Sequence, residues 1–145
     1  MKFATLKNLI LFVVFLGLTS CKTQDPEEQK ENIAGYWEIE RVTLPNGTHK
    51  EFTINTTIDF IEITENKGIR RKLAPKIDGT FEYFRDAENF EMVIENDSLH
   101  LYYRTAYASW KETVLEASEE SLIVQNDDKK IYQYKKYQPL NFTNE

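Results

Sequence analysis

From residue 33 onward the chain is built of short runs in which apolar and polar positions alternate with a period of two. In residues 89–104, Phe90, Met92 and Ile94 alternate with Glu91 and Glu95. Asn96-Asp97 then interrupts the run, and Leu99, Leu101 and Tyr103 alternate with His100, Tyr102 and Arg104. Such alternation sends one set of side chains to a core and the other to water, and two such runs around a turn-forming pair predict a β-hairpin. The same pattern predicts strands over residues 36–43, 57–64, 69–73, 80–85, 110–117, 122–125 and 131–137. Turns are expected at Glu65-Asn66-Lys67-Gly68, Asp78-Gly79 and Asp127-Asp128, and a polar loop at Asn46-Gly47-Thr48-His49. About nine strands at a spacing of roughly 10–12 residues form an all-β antiparallel meander, either an up-and-down barrel or a split β-sandwich. No run keeps a helical period over about twelve residues; residues 117–120 allow a single helical turn.

The first 20 residues follow a different rule. Lys2 and Lys7 make a basic start, and residues 9–18 are uncharged and mostly large and apolar. Ten residues are about half of what a membrane-crossing helix needs, which fits the hydrophobic region of an export signal. Leu18-Thr19-Ser20-Cys21 follows, and it resembles the lipobox of bacterial lipoproteins. That resemblance implies cleavage after residue 20, a diacylglyceryl group on the Cys21 thiol and an acylated N-terminus, with palmitate-class chains as the anchor. It also implies an address in the bacterial cell envelope, at the outer membrane. Cys21 is the single cysteine of the sequence, so no internal disulfide forms. Residues 21–32 are polar, contain Pro26 and lack apolar periodicity, so they are expected to act as a flexible lipidated tether to a domain spanning 33–145.

Charge narrows the partners. The net charge is −6, and loss of Lys2 and Lys7 with the signal makes the remainder more acidic. An acidic domain repels phosphate backbones, so no nucleic-acid partner is expected. The one dense basic run, Arg70-Arg71-Lys72, reads as a solvated strand face.

Gly35-Tyr36-Trp37 opens the first predicted strand. It resembles the G-x-W signature of lipocalins, and the whole of residues 33–137, ending in a tyrosine-rich strand, is similar to the lipocalin-like lipoproteins of Gram-negative bacteria. The resemblance implies that Trp37 plugs one end of the barrel beneath a basic residue of the last strand. Lys135 and Lys136 are the candidates, where lipocalins usually carry arginine, whose planar guanidinium stacks as a lysine cannot.

Catalytic chemistry finds little support. His49 and His100 lack metal-ligand spacing, and no metal site or cofactor is expected. Nucleophile elbows, an available Cys–His pair and phosphate-binding glycine loops are missing. A carboxylate pair such as Glu91 with Glu112 is conceivable for glycoside chemistry. The chain is therefore expected not to be an enzyme. Thirteen per cent of the residues are aromatic, and a small barrel can gather such rings around a lumen. The candidate ligand-binding residues are Arg70, Tyr83, Tyr103, Trp110 and Tyr132, with Tyr134 as a further liner and Arg104 as a second cation for an anionic head group. The leading expectation is a small apolar or amphipathic ligand inside the barrel. The alternative is a packed core with Tyr102 and Tyr107 on an outer patch that binds another envelope protein.

Overall fold

The computed structural model describes residues 23–139. The predicted signal segment, the lipobox and Cys21 lie outside the described residues. After a short helix α1 (Pro26–Asn32) come nine strands: β1 (Gly35–Thr43), β2 (His49–Glu51), β3 (Ile58–Thr64), β4 (Lys67–Pro75), β5 (Phe81–Glu95), β6 (Ser98–Arg104), β7 (Ser109–Ala117), β8 (Ser121–Asn126) and β9 (Ile131–Lys136). Every pairing is antiparallel. The order is β2-β1-β3-β4-β5-β6-β7-β8-β9, with a further pairing of β1 to β9. That last pairing, from Trp37↔Lys136 to Thr43↔Ile131, closes eight strands into a barrel and decides against an open sandwich. β2 stands outside the ring, paired to the far end of β1 through Arg41, Val42 and Thr43.

Two strands depart from the expectation while the total stays at nine. The segments expected at 80–85 and 89–95 are one strand of 15 residues. The loop holding His49 instead contributes β2. Both follow from hydrogen bonding across strands. β1 has a free edge beyond Trp37, because β3 pairs only with residues Gly35 to Trp37, and His49–Glu51 fills it. Between the two partners, Phe52 N donates to Glu40 O and the Asn55 amide donates to Ile39 O, so two carbonyls on that edge are also met. β5 is long because β4 supports it from Phe81 to Glu91, across an irregularity opposite Lys72. β6 pairs only with its second half, Asn89–Glu95. Phe81–Glu88 therefore overhangs the barrel.

Burial follows the alternation. On β6, Leu99, Leu101 and Tyr103 are buried, and on β8, Leu122 and Val124. These join Trp37, Ile61, Phe90, Met92, Val114 and Tyr134 in one core. Gly68, expected in a turn, lies in β4 opposite Phe90. A Cβ on Gly68 would sit 2.0 Å from Phe90 Cζ, so the ring lies directly over the bare backbone. A smaller aromatic stack forms outside the ring, where Tyr36 stacks on Phe60 at 4.5 Å and on Phe81 at 5.2 Å.

The expected flexible tether needs correction over its second half. Asp25 caps α1 by accepting from Glu27 N at 3.1 Å, and Pro26 starts the helix, as capping chemistry favours. Seven residues are too few to hold a helix alone, so the barrel holds it. The Gln24 side chain bonds both ways with the Ala117 backbone, donating to its O and accepting from its N at 3.0 Å. Gln29 is buried and donates to Leu115 O at 3.3 Å, and Lys30 donates to Asn66.

Replacing Gly68 with Ala is expected to cost about 1–3 kcal/mol of overpacking strain, read as a fall in the urea midpoint. Adding Phe90→Leu, which removes the ring that the methyl strikes, should restore part of the loss relative to Phe90→Leu alone.

Candidate functional site

The G-x-W segment seals one end of the barrel. Trp37 is fully buried, and its Nε1 donates to Ile33 O at 2.7 Å. Lys136 Nζ lies 4.5 Å from the centre of its ring and donates to Ala34 O at 3.4 Å. A cation over an indole face is favourable without guanidinium stacking, so lysine serves here. Lys135, the other candidate, points away and pairs with Glu38 at 3.7 Å. Gly35 is required for this arrangement. Its φ is +134°, and a Cβ there would come within 2.5 Å of Lys136 Nζ.

Inside the barrel, Gly68, Phe90, Tyr103 and Trp110 form one row across β4–β7. Tyr103 and Trp110 stack at 4.9 Å and 4°, and Phe90 lies 5.0 Å from Tyr103. The Arg70 guanidinium sits 4.5 Å over the Tyr103 ring. Its Nε pairs with Glu88 at 2.8 Å and its Nη1 with Glu112 at 3.2 Å. Arg70 therefore belongs to a buried ionic layer and not to a solvated strand face. Burial alone would lower its pKa, but the fields of Tyr103, Glu112, Tyr134 and Glu88 outweigh this and raise it. Burial pushes the Glu112 carboxyl up from the usual range, with Arg70 opposing. Burial likewise raises Tyr103 and Tyr134. The Tyr103 hydroxyl lies against Glu112 without good hydrogen-bond geometry.

Of the five candidate ligand residues, the structure brings Arg70, Tyr103 and Trp110 together. Tyr132 packs against the same core from β9. Tyr83 does not belong with them. It lies in the β5 overhang, before the stretch that pairs with β6, and is 60% exposed. Counted by twos from the inward Phe90, Tyr83 falls on the outer face of β5, where it pairs with Leu73.

The interior holds a void of about 10 Å³ between Trp37, Arg70, Tyr103, Glu112, Val124 and Tyr134. That is about the room of one water molecule, far below a ligand pocket. The large concavity lies outside: an open groove of about 810 Å³ over β3–β7. Its walls are the two outward rows that flank the Gly68–Trp110 row. One runs Glu62, Ile69, Asn89, Arg104, Ser109 and the other Thr64, Lys67, Glu91, Tyr102, Lys111, each a chain of register neighbours. The Tyr102 hydroxyl donates to Glu95 at 2.7 Å, a bond that raises its pKa. Lys111 N donates to Asp127, which closes the upper rim.

The family profile described as a lipocalin-like domain matches residues 33–124, from just before the Trp37 plug into β8. The chain belongs to the lipocalin-like family. β9, which completes this lipocalin-like barrel and supplies Lys136, lies beyond the matched stretch. A solved structure of a lipocalin-like protein from Bacteroides uniformis is similar at 10% identity and a TM-score of 0.47, over 73% of this chain and 99% of that one. A comparison with curated proteins finds no match.

Sequence reasoning placed the lipocalin-like site in the lumen and so missed Ile69, Lys67 and Lys111 on the groove. Ile69 and Lys111 adjoin Arg70 and Trp110, which were expected to line the lumen, so alternation already turned them outward, whereas Lys67 fell in an expected turn. Glu91 and Glu112 cannot act as a pair, because Glu91 is exposed on the outer face and Glu112 is buried inside. His100 also points outward, 2.9 Å from Thr113 Oγ1, and His49 lies at the β2 edge, 3.7 Å from Glu51.

Arg70→Met strands the two carboxylates that it neutralised. A loss of about 3 kcal/mol is expected near pH 7. The sign with pH follows from the raised Glu112 carboxyl: its stabilising protonated form is fully present below the unfolded carboxylate range and is lost as pH rises through the folded value. The deficit against the parent chain should therefore be smaller at acid pH than at pH 7, in urea titrations at both.

Proposed function

We propose that the chain is a lipid-anchored, non-enzymatic binding domain of the bacterial envelope, held by acylated Cys21, that receives a small amphipathic ligand in its outer groove and not in its lumen. The observation that carries this reading is the contrast between an interior void of about 10 Å³ and a groove of about 810 Å³. The second falls within the usual size of small-molecule sites, roughly 300–1,000 Å³. Ile69 and Tyr102 offer apolar surface there, while Lys67, Arg104 and Lys111 can meet an anionic head group. The family membership supports a binding role, and the lipobox-like Leu18-Thr19-Ser20-Cys21 supports the anchor.

A second reading rests on a separate observation. Tyr107, in the turn between β6 and β7, is 99% exposed, and Tyr102 on the adjoining strand is 39% exposed. Exposed tyrosines beside charged residues suit a protein partner.

Native mass spectrometry of the mature chain, with α1 retained because it is part of the fold, separates the two. A co-purifying small molecule lost on Arg104→Ala or Ile69→Glu, with unchanged thermal midpoint, is the expected result. Retention of that molecule in both variants would place it elsewhere. An empty chain that shows no thermal shift with fatty acids would favour the protein partner.

A further inference from the structure

We propose that α1 makes the barrel's sealed end the face turned toward the lipid surface, so that the domain stands on the membrane in one orientation instead of swinging on a tether. The inference rests on the proposed acylation of Cys21. Its structural support is the way the chain is fastened immediately after that residue. Gln24 is bonded to the Ala117 backbone through both ends of its amide, Asp25 caps the helix, Gln29 is buried against β7, and Ile33 is fully buried beside Trp37. Only two residues, Lys22 and Thr23, separate Cys21 from Gln24, three Cα-to-Cα steps in all. A fully extended chain of that length spans at most about 11 Å. Ala117 ends β7 at the sealed end, next to the Ser118–Ser121 turn. The hairpin turns at Glu65-Asn66 and Asn96-Asp97 close the same end, by the up-and-down order of the strands. An anchor on Cys21 therefore keeps this end close to the bilayer, on a leash of at most about 11 Å from Cys21 to Gln24, while the β6–β7 turn with Tyr107 lies a strand's length away.

The charge of that end agrees with a hold by leash and cap alone. Asp25, Glu27, Glu28, Glu31, Glu119 and Glu120 are all exposed there. Carboxylates gain nothing from anionic head groups. The orientation should therefore persist on a zwitterionic bilayer.

The test uses the full chain, processed in bacteria, purified in detergent and placed in phosphatidylcholine vesicles that carry an acceptor dye on a minor head-group component. A donor is attached at Asp97→Cys on the sealed end or at Tyr107→Cys on the opposite one. The expected result is transfer at least twofold more efficient from position 97 than from position 107. The double variant Gln24→Ala/Gln29→Ala should bring the two efficiencies together. Equal efficiencies in an acylated, vesicle-bound chain would overturn the fixed orientation and leave the anchor standing. An unchanged ratio in the double variant would overturn the role of α1. A chain whose mass lacks the diacylglyceryl group and that fails to float with vesicles would overturn both the anchor and the orientation.

Discussion

A guanidinium inside an eight-stranded barrel persists only if its charge is met, because an unpaired ion in so dry a space costs several kcal/mol. Arg70 is met by Glu88 and Glu112 and by the face of Tyr103. Those partners in turn fix much of the interior. Tyr103 is held between Phe90 and Trp110, Phe90 requires the bare backbone of Gly68, and Tyr134 and Val124 close the remaining space. The charged layer and the aromatic row are one packed unit. A lumen filled in this way leaves its concave surface on the outside.

The sealed end obeys a parallel constraint. Trp37 must satisfy its indole N–H on burial, and Ile33 O does this, which ties the start of β1 to the end of α1. Lys136 then covers the ring and reaches Ala34 O. Residues from both ends of the barrel's strand order thus meet at one point, where β1 also pairs with β9. Closure of the sheet and closure of its end are the same event.

What the sequence disclosed tracks the range of the forces involved. Alternation in residues 89–104 shows directly as the β5–β6 hairpin, because inward and outward positions are a local property of a strand. Gly35 and Trp37 were legible because a positive φ and a large buried ring leave a mark in residue type. α1 was misread although Asp25-Pro26-Glu27-Glu28 is a good helix start, since the bonds from Gln24 and Gln29 that hold it reach residues more than eighty positions away. β2 and the length of β5 were hidden for the same reason: each is set by which neighbour leaves an edge to be filled. Arg70 looked like a surface cation because a run of three basic residues does not say which of them alternation turns inward.

The overhang of β5 has a meaning for contacts between copies of the chain. Residues of Phe81–Glu88 leave the main-chain groups on the side toward β6 without a strand partner from it, and an open edge is a template for joining another chain. Glu82 and Asp86 stand exposed along that edge, and like charges brought opposite one another repel. These two exposed carboxylates therefore disfavour pairing of this edge with the same edge of a second copy.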